Sequence, residues 1–411
     1  MTTARNNLTR RSFLKSAAAA GAFPFVIPAA ALGGEDRPAA SNRLVVGAIG
    51  MGGRGTGDMQ TFLHTPECQV VSVCDVHKDH LLQAKGLVDK KYGNNDCKPV
   101  ADFREITWRP DIDVVMIGTP DHWHALVATD AMLHGKDVFC EKPETLTIRE
   151  GRKLVETARR YARVFSGGSQ RVWEDYNWFH KMVRSGAIGR VQEVFVDCWG
   201  PSGECFLPPA PVPASLDWEM WLGPAPWAPF NPGRLNFRPW RDYSGGGMTD
   251  WGAHNFGGAL FTCELHETGP VEVIPPNGKD NPLLTYKFAN GIVFHHTGGW
   301  GGNLCFRGTD GEIPDRLGGK KARRKDPPNI FIPNYKGHGG LIGDFLHCVR
   351  TRERPFRDIE VAHRTVTVCH LGNIAYRLGR PFKWDPVKEE IVGDPEANRW
   401  LDRPKRAPWR L

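Results

Sequence analysis

Short apolar runs alternate with longer amphipathic stretches over the first part of the chain. Residues 44–49, 70–74, 114–118, 137–140 and 164–166 are compact runs rich in Val, Ile, Phe and Cys that read as buried strands. Residues 56–63, 77–92, 125–134 and 147–163 lie between and after them with helical spacing, and Gly135 is placed to end one of these helices. Strands that alternate with helices predict a parallel, doubly wound α/β sheet. From about Gln170 the texture changes. Residues 173–185, 341–351 and 359–378 still read as helices, but 191–199, 271–274, 283–288 and 292–297 read as strands, the last two joined by Asn290-Gly291. Asn-Gly is a strong hairpin signal, and strands in succession predict an antiparallel sheet in a second domain. Residues 207–213 read as a proline-rich loop, 320–325 as a solvated basic loop, and 381–411 as irregular coil.

The first strand runs straight into Gly50-Met51-Gly52-Gly53-Arg54-Gly55, and the second is closed by Asp75, 20 residues after Gly55. In a strand–turn–helix unit such glycines permit a tight turn and a close backbone approach to a pyrophosphate, which the helix N-terminus attracts. An acid at that spacing accepts hydrogen bonds from an adenosine ribose and repels a 2′-phosphate, so the pattern predicts NAD rather than NADP. The alternative is a glycine-rich loop within an ordinary α/β domain. Further polar clusters fall at the ends of the other strands: Thr119-Pro120-Asp121-His122-Trp123-His124, Glu141-Lys142 and Gln170. Ligands of doubly wound sheets bind beyond the carboxyl ends of the strands. The cofactor-facing set is therefore Gly50, Gly52, Gly53, Arg54, Gly55, Asp75, Thr119, Pro120, His122, His124, Glu141, Lys142 and Gln170.

Asp250 and His254 follow a triple-glycine turn and are four residues apart. On one helix they would share a face, and an imidazole held by a carboxylate is a good general base near neutral pH. A structural helix with a hydrogen-bonded histidine would leave the same trace. Lys142 could exchange protons beside a cationic nicotinamide, or be a surface cation paired with Glu141 or Glu144. His122 and His124 suit pocket lining, and no residues at ligand spacing make them a metal site. Trp218, Trp221, Trp227 and Trp240 precede Asp250. Each fits a core, but Trp218, Trp221 and Trp240, with Arg171, could also line a sugar site.

Composition adds the compartment. Residues 1–31 hold Arg10-Arg11, a mildly apolar stretch and then Ala29-Ala30-Ala31, in the order of a twin-arginine export signal. On this reading the domains are a leader 1–31, a linker 32–42, an NAD-binding domain 43–169 and a C-terminal domain 170–411. The leader carries four of the basic residues and no acid, so the formal charge of +7 falls to +3 without it, a poor basis for nucleic-acid binding. No internal segment reads as a membrane span. The ten cysteines show no metal spacing and no readable pairing.

Together these residues resemble the Gfo/Idh/MocA family, named for glucose–fructose oxidoreductase, inositol dehydrogenase and a rhizopine-catabolism protein. The resemblance rests on the glycine turn, Thr119 to His124, Glu141-Lys142-Pro143 and Asp250-x-x-x-His254, and runs from about Leu44 to Arg399. It implies a Rossmann domain and a C-terminal α/β domain on an open, mostly antiparallel sheet whose face often mediates homo-oligomers. It also implies that Lys142, Asp250 and His254 surround the reacting hydroxyl. The family often has Asn where Asp121 stands. The expected activity is hydride transfer between a sugar, polyol or glycoside and tightly held NAD. The alternative is an NAD-dependent glycoside hydrolase working by transient oxidation, elimination and water addition. A non-catalytic sensor would need no base.

Overall fold

The computed structural model describes residues 38–299, 303–314, 327–332, 334–336 and 339–411. The leader and the basic run 320–325 lie outside them. Six strands, β1 (Leu44–Ile49), β2 (Cys68–Cys74), β3 (Lys98–Val100), β4 (Val114–Ile117), β5 (Asp137–Cys140) and β6 (Phe165–Gly167), form one sheet in the order β3-β2-β1-β4-β5-β6. Every pairing in it is parallel. Such strands are buried on both faces, which is why they read as unbroken apolar runs. The order reverses between β1 and β4, and ligands of open α/β sheets bind at that switch point.

The helices that follow the strands are α1 (Gly53–His64), α2 (Lys78–Tyr92), α3 (Asp121–Leu133) and α4 (Ile148–Arg160). A capping box starts α4: the Thr147 side chain accepts the Glu150 N–H, and Glu150 accepts the Thr147 N–H in return. This satisfies two otherwise unpaired donors. Helix α3 begins four residues earlier than its apolar spacing suggests. Asp121, His122, Trp123 and His124 form its first turn and are all buried. Polar side chains facing inward disguise a helix start as a loop.

The second sheet has the order β12-β11-β7-β10-β9-β8-β13-β14. Its strands are β7 (Val191–Asp197), β8 (Glu272–Ile274), β9 (Leu284–Lys287), β10 (Val293–His296), β11 (Asn303–Gly308), β12 (Glu312–Ile313), β13 (Phe382–Asp385) and β14 (Glu390–Ile391). All pairings are antiparallel except β7 with β10. The β9–β10 hairpin turns at Gly291, whose φ of 88° is the left-handed conformation that Asn-Gly favours. Helices α5 (Gly252–Thr262), α6 (Gly340–Thr351) and α7 (Ile359–Leu378) complete this half. Helix α7 packs on both α4 and α5, joining the two sheets into one body.

Two sequence expectations are corrected. Residues 173–185 do not form a single helix but two short ones, Arg171–Glu174 and Asn177–Arg184. Residues 381–411 are not irregular throughout. They supply β13 and β14, with Phe382 and Trp384 buried and Lys383 exposed, an alternation hidden among prolines. The chain end then returns to the first sheet: Trp409 packs edge-on against Trp123 at 4.7 Å, and Arg406 Nε donates to the Gly223 carbonyl at 3.0 Å. Among the described residues the cysteines form no disulfide. Among the described residues no helix is long and apolar enough to cross a membrane.

Candidate active site

The glycines of the first turn divide by what surrounds them. Gly50 has φ 85°, and a Cβ there would sit 2.5 Å from the Thr119 nitrogen. A Cβ on Gly55 would lie 1.8 Å from the Gly50 carbonyl oxygen, so this glycine lets α1 press against the turn. Gly52 and Gly53 meet nothing within 4 Å and face a cavity of about 340 Å³. Helix α1 starts there with no side-chain cap, so its first N–H groups remain available to an anion. Asp75 lines the same cavity from the end of β2, where its carboxylate accepts the N–H groups of Met51 at 2.6 Å and His77 at 2.7 Å. Open space over two glycines, an uncapped helix and a carboxylate one strand away fit a dinucleotide.

The far end of the cavity is built by both halves of the chain. Lys142, just past β5, reaches across to Asp250: its Nζ bonds the carboxylate Oδ1 and lies 3.1 Å from the Asp250 carbonyl. Arg238 approaches the same Oδ1 through Nε at 3.0 Å. Burial pushes the Asp250 carboxyl up, but Lys142 and Arg238 outweigh it and hold it below the usual carboxylate range. Glu141 is occupied by the Arg54 guanidinium at 2.9 Å and by the Lys142 N–H at 3.2 Å. Lys142 is thus a buried cross-domain cation rather than a surface partner of Glu141 or Glu144.

The expected Asp250–His254 pair does not form. The helix is interrupted at Trp251, between Gly247–Asp250 and α5, and the two cations take the carboxylate. His254 is buried behind the cavity wall rather than on it, with Nδ1 lacking any partner. Burial, and then the positive charge of Lys142, Arg171, Arg357 and Arg54, hold its pKa well below the ordinary imidazole value. It is a neutral imidazole in an electropositive setting.

The remaining sequence candidates separate. Thr119, Pro120 and His124 line the cavity. His124 bridges the carbonyls of Pro143 at 2.7 Å and Thr119 at 2.8 Å, fixing the strand ends. His122 does not line the cavity; it lies under it, 3.0 Å from the Trp221 carbonyl, which also accepts Trp123 Nε1–H at 3.1 Å. Burial lowers His122 to about 4. Gln170 caps the short helix after β6, its Oε1 buried without a partner, and is not on the cavity wall. Of Trp218, Trp221, Trp227 and Trp240, Trp221 reaches the wall, and Trp123 lines it too. Trp218 stacks on Trp221 at 4.8 Å and is core, while Trp240 donates to the Gly233 carbonyl at 2.9 Å. Arg171 pairs with Asp175 at 2.6 Å and lies over the Trp251 ring, away from the cavity lining.

Arg238 is on the wall and escaped the sequence reading, and Asp121, named there only within its motif, is on the wall as well. Arg238 sits in an aperiodic aromatic loop, and only its nearness to the triple glycine could have marked it. Asp121, buried with Oδ2 unpartnered, is pushed up to about 7 chiefly by burial and further by the charge of Asp250.

Residues 44–169 match the model of an oxidoreductase family's NAD-binding Rossmann fold, and residues 178–411 match that family's C-terminal alpha/beta domain. The chain belongs to the Gfo/Idh/MocA oxidoreductase family. Similar curated proteins include a glycosyl hydrolase family 109 protein of Shewanella baltica, 30% identical over 214 residues (45% of each chain). An alpha-N-acetylgalactosaminidase of Shewanella oneidensis is 32% identical over 177 residues, 38% of each chain. The aligned part spans less than half the length of these relatives. Among solved Gfo/Idh/MocA-like structures, myo-inositol 2-dehydrogenase from Lactobacillus plantarum superposes with a TM-score of 0.59 at 16% identity, covering 83% of this chain and 99% of that one. Scyllo-inositol dehydrogenase from Lactobacillus casei, solved with NAD(H) and scyllo-inositol, gives 0.59 at 15% identity with the same coverage. At such identities these structures show a shared Gfo/Idh/MocA fold.

Proposed function

We propose that this protein oxidises or reduces a hydroxyl-bearing carbon of a sugar, polyol or glycoside, with NAD held in the Gly50–Gly55 cradle. The observation that carries the reading is the buried Lys142–Asp250 pair, which joins the two halves at the end of that cradle. Bound NAD supplies the hydride acceptor or donor. Lys142, oriented by Asp250, donates a hydrogen bond to the reacting oxygen and steadies its negative charge. His254, neutral and with Nδ1 unpaired, has the form required to take the hydroxyl proton. Replacing His254 with Ala lowers turnover by about 10²-fold or more while NAD stays bound; turnover equal to the parent refutes the assignment.

A second reading, redox-neutral cleavage of a glycosidic bond, draws support from the glycosidase relatives. The protein as purified, given aryl glycosides and no added NAD, releases aglycone only under this reading. Export of the folded, cofactor-loaded protein through the twin-arginine route is part of this proposal. Cell fractionation checks it, and a cytoplasmic mature protein counts against it.

A further inference from the structure

We infer that the substrate carries a carboxylate, and that Arg238 recognises it: the sugar taken by this cleft is a sugar acid. The inference rests on the sugar-site reading above and narrows it.

Arg238 lies on the wall of the cavity that begins at Gly52 and Gly53 and ends at Lys142. Its guanidinium sits 4.8 Å from the Phe237 ring centroid and pairs with Asp250, Nε lying 3.0 Å from Oδ1. Among the described residues no other group pairs with it, and its side chain is 46% exposed. The loop that carries it is tied down: the Gly203 N–H donates to the Pro239 carbonyl at 2.8 Å, and the Trp240 N–H to the Phe237 carbonyl at 3.0 Å. A guanidinium half-exposed on a tied-down loop is a planar fork that matches a carboxylate bidentately.

The charges at this end of the cavity point the same way. Two cations, Lys142 and Arg238, share one carboxylate, Asp250. The other acids on the wall do not balance them. Glu141 is engaged by Arg54, Asp75 stands at the opposite end, and Asp121 is pushed up to about 7, so much of it is uncharged at neutral pH. A neutral sugar leaves one positive charge uncompensated in a partly buried site, and a substrate carboxylate cancels it. The competing anion is the pyrophosphate of the cofactor. The glycine turn already offers that group an uncapped helix, whereas Arg54 is taken by Asp58 and Glu141 and Arg238 belongs to the Lys142–Asp250 end.

The test uses the purified holoprotein, its Arg238→Gln and Arg238→Lys variants, and matched pairs: glucuronate with glucose, galacturonate with galactose, gluconate with glucitol. Affinities come from calorimetry, retained NAD from absorbance, and reduction of the bound cofactor from its spectrum. The parent binds at least one acid about 10-fold or more tighter than its neutral partner. Arg238→Gln abolishes that preference with NAD content unchanged, and Arg238→Lys keeps part of it. No acid preference in any pair overturns the inference, as does an Arg238→Gln variant that loses NAD instead of selectivity. An acid preference that depends on Arg238 without cofactor reduction sinks the oxidoreductase reading and leaves the inference standing. Reduction by neutral sugars indifferent to Arg238 does the reverse.

Discussion

Among the described residues, two clusters of charge, one at the junction of α4 with α7 and one at the cleft, are finished to different degrees. On the side where α4 meets α7, Arg152 forks to Glu360 at 2.8 and 2.9 Å and to Glu389 at 2.7 and 3.0 Å. Arg364 joins Glu360 at 2.7 Å, and His363 Nε2 lies 2.7 Å from Glu389. Each of the four carboxylate oxygens there has a partner. Around the cleft, Asp250 Oδ1 serves two cations, while His254 Nδ1, Asp121 Oδ2, Thr119 Oγ1 and Gln170 Oε1 are buried with none. A buried polar group without a partner costs about 1–3 kcal/mol. A fold keeps several of them together where another molecule completes them. On this contrast the saturated cluster is proposed as scaffold and the unsaturated one as the site.

That contrast breaks if the wrong cluster responds to substitution. Lys142→Ala lowers turnover by about 10²- to 10⁴-fold, with the melting temperature little changed; a full loss of folding with no separable catalytic defect contradicts the assignment. Glu389→Ala, which strips Arg152 and His363 of their shared carboxylate, costs about 3 kcal/mol or more in denaturant titration. Turnover per folded molecule stays at the parent value.

The glycine turn gives a finer version of the same comparison. Gly55→Ala places a methyl 1.8 Å from the Gly50 oxygen and lowers the melting temperature. Gly52→Ala, open on all sides within 4 Å, leaves stability alone and weakens NAD retention, measured by cofactor released on gel filtration. The smallest effect is on acid stability. Burial pushes Glu360 up, yet Arg152 and Arg364 bring it down to about 2. A depressed carboxyl contributes stability that is present above its unfolded value of about 4.3 and is lost as pH falls toward the folded one. Glu360→Gln therefore flattens the melting-temperature profile between about pH 4 and 2, and an unaltered slope there would remove Glu360 from the scaffold.

What could be read beforehand follows the range of the interactions. The 359–378 helix was legible end to end because Asp358 caps it and Gly379, at φ 62°, closes it, both adjacent in sequence. The NAD turn was legible because its glycines act on neighbours within one strand–turn–helix unit. The first turn of α3 was not, since inward-facing Asp121 and His124 violate the helical apolar spacing. The β13–β14 strands were obscured by their prolines and become strands through β8, more than a hundred positions earlier.

The sequence by itself determined the two sheets and the dinucleotide cradle, because local periodicity and turn chemistry carry those, and it offered Lys142, Asp250 and His254 as candidates through a family resemblance. Only the tertiary structure decided which of them touch. The partner of Asp250 is 108 residues away across the cleft, not four residues along a helix. Arg238 joins it from a loop with no pattern of its own. Charges pair by distance and desolvation in the assembled cleft, and neither quantity is a property of neighbouring positions along a chain.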